Sequence, residues 1–135
     1  MKSNRRKFPA SYREINIFLD RLYLKASFNC QIKTVIQTNC DKQSSKTVKF
    51  SVSKSQAVFQ ENITLYSNPD LDQTLKLTIF MWNKNTTKMV GIVRIQLGSD
   101  EMKLSGKDKY ILEKCPMKGV QLQFSILLRL LSLDR

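Results

Sequence analysis

The sequence predicts an all-β fold, an antiparallel eight-stranded β-sandwich, and two observations carry the prediction. Eight short runs alternate apolar and polar residues with a period of two, the pattern of a strand that buries one face. No run keeps the three-and-four spacing of an amphipathic helix over several turns, and the connections between runs are short and polar. Many short strands with turn residues between them pack as two stacked or closed antiparallel layers.

Residues 1–13 stand apart as a basic arm. They carry Lys2, Arg5, Arg6, Lys7 and Arg13 and no acid, with Phe8, Pro9 and Tyr12 interleaved. That composition reads as a mobile segment that anchors an anionic partner, and the sandwich domain is expected over residues 14–135. In 14–24, Ile15, Ile17 and Leu19 alternate with Asn16 and Phe18, and the phase then changes before Leu22 and Leu24. The change predicts a bulge near Asp20. In 28–37, Phe28, Cys30 and Ile32 alternate with Asn29, Gln31 and Lys33. A polar loop, 38–46, leads to a short strand at 47–52 with Val48, Phe50 and Val52 on one face. Residues 56–65 form the next run, ending on Ile63 and Leu65, and SNPDLDQ at 67–73 is turn chemistry.

The centre of the chain is the pair of runs within 75–97. Leu75, Leu77, Ile79 and Met81 face inward on the first arm, opposite Lys76 and Thr78; Val93, Ile95 and Leu97 face inward on the second, opposite Arg94 and Gln96. A polar loop is expected over 83–88, and Gly91 signals either a bulge or a close backbone approach. Residues 98–109 read as an irregular connection with room for one helical turn at EMKLS. A brief strand at 110–113 follows, and 119–129 places Val120, Leu122, Phe124, Ile126 and Leu128 on one face. The leucines after Ile126 exceed what one strand face needs, and either cover a core edge or meet a partner.

The chain has 135 residues, long enough for one domain with a core of its own, and 23 Lys and Arg against 11 Asp and Glu give a formal charge of +12. Such a balance favours an acidic partner surface, whether nucleic acid, anionic lipid or protein. With no histidine, imidazole-based triads are excluded, and the three cysteines lack metal-ligand spacing. Their odd number and the absence of a signal-peptide run point to a reducing, intracellular setting, cytoplasmic or associated with cytoskeleton or membrane. The four glycines form no phosphate loop, and the acid pairs Asp70/Asp72 and Asp100/Glu101 fall in turns. Cys30 lies on an apolar strand face and reads as core. No enzyme chemistry and no cofactor or metal site is expected. Trp82, beside Met81, Lys84 and Lys88, stands at a strand end as either a loop anchor or a core residue.

LKLTIF followed by a polar loop and MVGIVRIQL resembles the signature of the C2 domain, as do VFQENI, the opening run with FNCQIKTV, and the closing GVQLQFSILLRL. The resemblance spans about residues 15–129. It implies a C2-like Greek-key sandwich, nearest to the calcium-independent N-terminal C2 variety of the estrogen-induced-gene and EH-domain-binding-protein group. Calcium-binding relatives place aspartates in the loop after the central strand, since Ca²⁺ needs hard carboxylate oxygens. The matching positions here are Met81, Asn83 and Lys88, so a calcium switch is excluded. The expected role is that of a non-catalytic docking or structural subunit in a larger protein assembly. The alternatives are a peripheral anchor to anionic phospholipid membranes and, less favoured, an RNA-binding β-barrel.

Overall fold

The described residues form ten strands, eight of them where the alternating runs lie: β1 (Ser11–Tyr23), β2 (Gln31–Gln37), β3 (Lys42–Ser44), β4 (Val48–Lys49), β5 (Gln56–Ser67), β6 (Thr74–Asn83), β7 (Thr86–Gln96), β8 (Met102–Leu104), β9 (Lys109–Ile111) and β10 (Gln121–Ser132). The computed structural model describes residues 11–68, 74–84, 86–97, 102–104, 109–115, 117 and 119–132. Two antiparallel sheets stack as a sandwich. Sheet A has the order β5-β1-β10-β8 with β9 also on β10, and sheet B has the order β3-β2-β6-β7 with β4 also on β2.

The expected eight strands correspond to eight positions in the sheets, because two edge positions are each split. On β10, β8 pairs with Ile126–Leu128 and β9 with Gln121–Gln123. On β2, β3 pairs with Val35–Gln37 and β4 with Gln31–Ile32. Edge segments this short bury little apolar surface, so they leave almost no periodic signal. Accordingly 102–104, read within an irregular connection with room for one helical turn, turns out to be a strand, and the polar loop 38–46 contains β3.

The core is the set of inward residues that the alternation predicts. Ile15, Ile17, Leu19 and Leu22 of β1 meet Leu75, Leu77 and Ile79 of β6 and Leu122, Phe124 and Leu128 of β10 in one buried cluster. Each side chain of this size stabilises the fold by about 1.5–3 kcal/mol through removal from water. The bulge at Asp20 is present: the register of β1 slips between Leu19 and Arg21 against both neighbours. On β5 the slip is met by Gln60, whose φ is 47°. Phe28 and Val52 depart from expectation, since β2 begins only at Gln31 and β4 ends at Lys49, and both side chains are 38% exposed.

Gly91 serves both of the purposes its sequence position suggests. The β6–β7 register skips a residue between Ile79 and Phe80, which pair with Gly91 and Met89. A Cβ on Gly91 would also lie 2.8 Å from Leu112 Cβ and Cδ2 and 3.1 Å from Cys115 Cβ. Gly91→Ala is therefore expected to destabilise the domain by about 1–3 kcal/mol, the cost of overpacking a filled site. Urea denaturation checks this, and an unchanged midpoint would show that the Leu112 segment yields freely.

The loop expected at 83–88 is shorter than its polarity suggests. Asn83 pairs with Thr86, so only two residues join β6 to β7, with Lys84 at a φ of 59°. Thr86, Thr87 and Lys88 are polar strand residues, exposed on the end of a hairpin.

Candidate docking site at the loop end

Three chain segments meet at one end of the sandwich and line an open groove of about 670 Å³. Asn29, Cys30 and Gln31 come from the entry to β2, Lys49 and Phe50 from the end of β4, and Trp82, Asn83 and Lys84 from the β6–β7 turn. The ladder sets these neighbours, because Gln31 pairs with both Lys49 and Trp82. Trp82 is half-buried, and the Nζ of Lys33 lies 6.0 Å from its ring centroid. That distance is at the outer limit of a cation–π contact, in which the ring face attracts the ammonium. A smaller adjoining pocket of about 290 Å³ is lined by Phe28, Met81, Asn83, Thr86 and Lys88.

The electrostatics of this end follow from the sequence. No Asp or Glu occurs in residues 21–40, 42–60 or 74–97, whereas Lys25, Lys33, Lys49, Lys54, Lys84 and Lys88 all fall in those segments. Among the described residues no group of three or more Cys, Asp and Glu is placed to hold a metal ion. Asp41, the acid of the 38–46 loop, has a structural task. Its Oδ2 accepts the Tyr66 N–H at 3.0 Å and its Oδ1 the Lys42 N–H at 2.8 Å. Thr38 Oγ1 donates to the Tyr66 carbonyl at 3.2 Å. Together they satisfy backbone groups on the outer edge of β5, a position that otherwise invites strand pairing.

The residues singled out in the sequence separate into different places. Lys84 and Lys88 are exposed at the loop end, and Trp82 lies in the groove on the outer face of sheet B. Met81 is a correction: it is 6% exposed and belongs to the core cluster, because the period of two that buries Leu77 and Ile79 carries it inward. Arg13 is a second correction. It lies within β1 and is 2% exposed, and it donates from Nε to Ser67 Oγ at 3.1 Å and from Nη1 to the Leu97 carbonyl at 2.8 Å. A guanidinium held in this way cannot serve as an anchor on a mobile arm, and the sandwich begins before residue 14, at Ser11. Lys2, Arg5, Arg6 and Lys7 lie outside the described residues. Cys30 is buried as expected, and desolvation pushes its thiol above the ordinary value, which disfavours the reactive thiolate. The sequence alone does not join Asn29, Gln31 and Lys49 to Trp82. Their convergence depends on strand pairing across about 50 residues of chain, although the shared lack of acids in their segments is visible without it.

The fold is thus a two-sheet antiparallel sandwich, and the residues that line its groove include Lys49 and Lys84 and no carboxylate. The sequence pattern of the C2 domain family matches residues 18–112, and the chain belongs to that family. No curated protein sequence matches the chain. Among solved structures, the calcium-bound pair of C2 domains of extended synaptotagmin 2 is similar at 20% identity and a TM-score of 0.68, over 91% of this chain and 44% of that one. Human GIVD cytosolic phospholipase A2, in complex with methyl gamma-linolenyl fluorophosphonate, is similar at 13% identity and a TM-score of 0.69, over 92% of this chain and 18% of that one. A single C2 domain of plant extended synaptotagmin 1 is similar at 10% identity and a TM-score of 0.59, over 90% and 96%. The chain thus spans less than half the length of the first two, and likeness at these identities is likeness of fold. C2 domains in general bind proteins or membrane lipids and are generally not catalytic. Among the described residues no helix is long and apolar enough to cross a membrane.

Proposed function

We propose that the chain is a non-catalytic, calcium-independent C2 docking subunit, nearest to the N-terminal C2 variety, whose loop end seats it on an anionic membrane surface inside the cell. The observation that carries this reading is the replacement of acids by lysines around the groove. Ca²⁺ requires several carboxylate or carbonyl oxygens, and the groove offers Lys49 and Lys84 beside the indole of Trp82. Phe28 and Val52, partly exposed on neighbouring loops, suit insertion among headgroups while the lysines meet phosphates. The basic arm, with Lys2, Arg5, Arg6 and Lys7, precedes β1 at the end of the sandwich opposite the groove, where Arg13 meets Leu97, and is read as a second, separate contact with the anionic surface. No cofactor enters this function.

The test is sedimentation with vesicles with and without phosphatidylserine. Binding is expected only to the anionic vesicles, equally in Ca²⁺ and in chelator. Each basic residue near such a surface contributes about 1 kcal/mol, so Lys49→Glu with Lys84→Glu should weaken binding by about thirtyfold or more. Deletion of residues 1–7 should weaken it further and flatten its salt dependence. A saturable rise in melting temperature with Ca²⁺ would overturn calcium independence, and equal binding to neutral vesicles would overturn the electrostatic reading.

A second reading, a structural subunit that docks onto other proteins, draws on a different surface. The outer face of sheet A exposes Val58, Tyr66 and Leu127, each at 40–44%, and attachment through the loop end leaves this face open. Nucleic acid is the least favoured partner, because RNA binding draws on a row of aromatic platforms beside cations, and the two ring–cation contacts of the described residues, Lys33 with Trp82 and Lys109 with Tyr23, lie on different sheets.

A further inference from the structure

Strand β7 is an outer edge of sheet B, and the middle of that edge is filled by the chain itself. Ile92 N–H donates to the Glu113 carbonyl at 3.0 Å, and Glu113 N–H donates to the Ile92 carbonyl at 2.7 Å. The pairing is antiparallel, and the Glu113 carboxylate accepts from Arg94 Nη1 at 2.7 Å, two residues along the same strand. The segment leaves at once, because Lys114 turns into the left-handed region at a φ of 54°. Toward the hairpin end the same edge is unfilled among the described residues. A two-residue turn is closed by a hydrogen-bonded pair, here Asn83 with Thr86. The pairs then alternate, so Thr87 and Met89 aim their N–H and C=O groups away from β6. None of these four groups has a partner among the described residues. Thr86, Thr87, Lys88 and Met89 are all exposed. Their side chains sort by face: Thr87 and Met89 pair with Trp82 and Phe80 on the outer face of sheet B. Lys88 pairs with Met81, and with Met81 and Phe28 it lines the pocket of about 290 Å³.

We infer that the edge of β7 at Thr87–Met89 binds an extended peptide of a partner protein as a further strand, with an acidic side chain opposite Lys88 and apolar ones beside it. Main-chain donors and acceptors at strand spacing are matched by another polypeptide backbone. A phosphodiester headgroup accepts hydrogen bonds but offers the two carbonyls no donor of its own. The charge of the occupant follows from Lys84 and Lys88, since no Asp or Glu occurs anywhere in 74–97. Glu113 on Arg94 is the same recognition made within the chain, an acid carried to this edge by an extended segment. Alternate residues of an added strand point to opposite faces. The residue opposite Lys88 therefore falls on the pocket side, with its carboxylate at the ammonium, while its neighbours lie along Met89 on the outer face. A second copy is a poor occupant, because two such edges paired about a two-fold axis would set Lys88 against Lys88. The peptide is a partner additional to the anionic membrane, and Thr87 and Met89 carry no charge, so the two attachments are separable by substitution.

Short peptides randomised at every position, displayed on phage and selected on the immobilised full chain, test the edge. Enriched sequences should alternate apolar or β-branched residues around an Asp or Glu. A synthetic copy should bind Thr87→Pro about tenfold more weakly than the wild type, the loss of one hydrogen bond. Proline at 87 removes only an N–H that β6 does not use, so the melting temperature should change little. A second measurement needs no variant. Methylating alternate amides of the peptide should abolish binding in one phase and spare it in the other, because only every second residue of an added strand bonds to its neighbour. Amide exchange at Thr87 and Met89 should slow about tenfold when nine-tenths of the chain is bound, since only the free fraction exchanges. Lys88→Glu should turn the preference from acidic to basic peptides. Vesicle sedimentation of Thr87→Pro should match the wild type. Enrichment no greater than on a support without the chain would overturn the proposal, as would binding indifferent to the methylation phase. Acid-free peptides held equally by Lys88→Glu would overturn the acidic partner. A dimer of the chain that Thr87→Pro abolishes would make a second copy the occupant and overturn it as well.

Discussion

Ile79→Asp is expected to remove cooperative folding at 25 °C, while Lys76→Asp, three residues earlier on the same strand, leaves it nearly unchanged. Ile79 is fully buried in the middle of sheet B, between Thr34 of β2 and Gly91 of β7. Substitution forfeits about 1.5–3 kcal/mol of apolar burial. It also leaves a carboxyl group that must either ionise in an apolar interior or stay neutral with few partners, a penalty of several kcal/mol more. The sum reaches the whole stability of a domain whose unfolding free energy lies in the usual range of about 5–15 kcal/mol. Lys76 is half-buried on the opposite face and pairs with Gln37 and Arg94. An aspartate there gains a cation as cross-strand neighbour, so its effect should stay within about 0.5–1 kcal/mol. Ile95→Asp and Gln96→Asp should repeat the contrast on β7. Urea denaturation followed by the fluorescence of Trp82, the chain's single tryptophan, measures both pairs. Similar midpoints for the two faces would mean that the register of the central hairpin is reversed.

That contrast is legible in the sequence because a period of two records which face is buried, and both central arms keep the period for several residues. The same logic locates the bulge at Asp20, where the phase changes between Leu19 and Leu22, and the close approach at Gly91. It does not locate β3, β4, β8 or β9 with the same sharpness. Two or three residues on a sheet edge carry no periodicity, and their strand identity comes from the backbone groups that β2 and β10 present to them. The candidate site is legible in its charge and not in its shape. The acid-free segments around residues 30, 50 and 83 can be read in one dimension, whereas their meeting in one groove is a product of the Gln31–Lys49 and Gln31–Trp82 pairings. Polarity also misleads at the central hairpin. Thr86, Thr87 and Lys88 are polar and still strand, because a hairpin end that projects past the core has solvent on both sides.

Arg13→Ala is expected to destabilise the domain by about 2–4 kcal/mol. The phase of β1 contains the explanation, since Arg13 precedes Ile15, Ile17 and Leu19 at the same spacing and therefore points to the interior side of the sheet. The charge is tolerated there because the guanidinium donates to Ser67 Oγ and to the Leu97 carbonyl, and reaches the Asn68 carbonyl at 3.5 Å. It thereby ties the start of β1 to the end of β5 and to the residue that follows β7. Truncation to alanine leaves a buried carbonyl and a hydroxyl without that donor, each worth about 1–3 kcal/mol, besides the lost packing of the side-chain stem. Arg13→Lys should recover only part of the loss, because a single ammonium cannot present the planar set of donors that reaches three acceptors. The residue's place in the strand also separates two truncations. Removal of residues 1–7 should leave the melting temperature unchanged, whereas removal of residues 1–13 should unfold the chain by deleting the first three residues of β1 together with this hub. Thermal denaturation of the four proteins alongside the wild type decides the matter. If Arg13→Ala melted with the wild type and bound anionic vesicles more weakly, the side chain would belong to the basic arm after all.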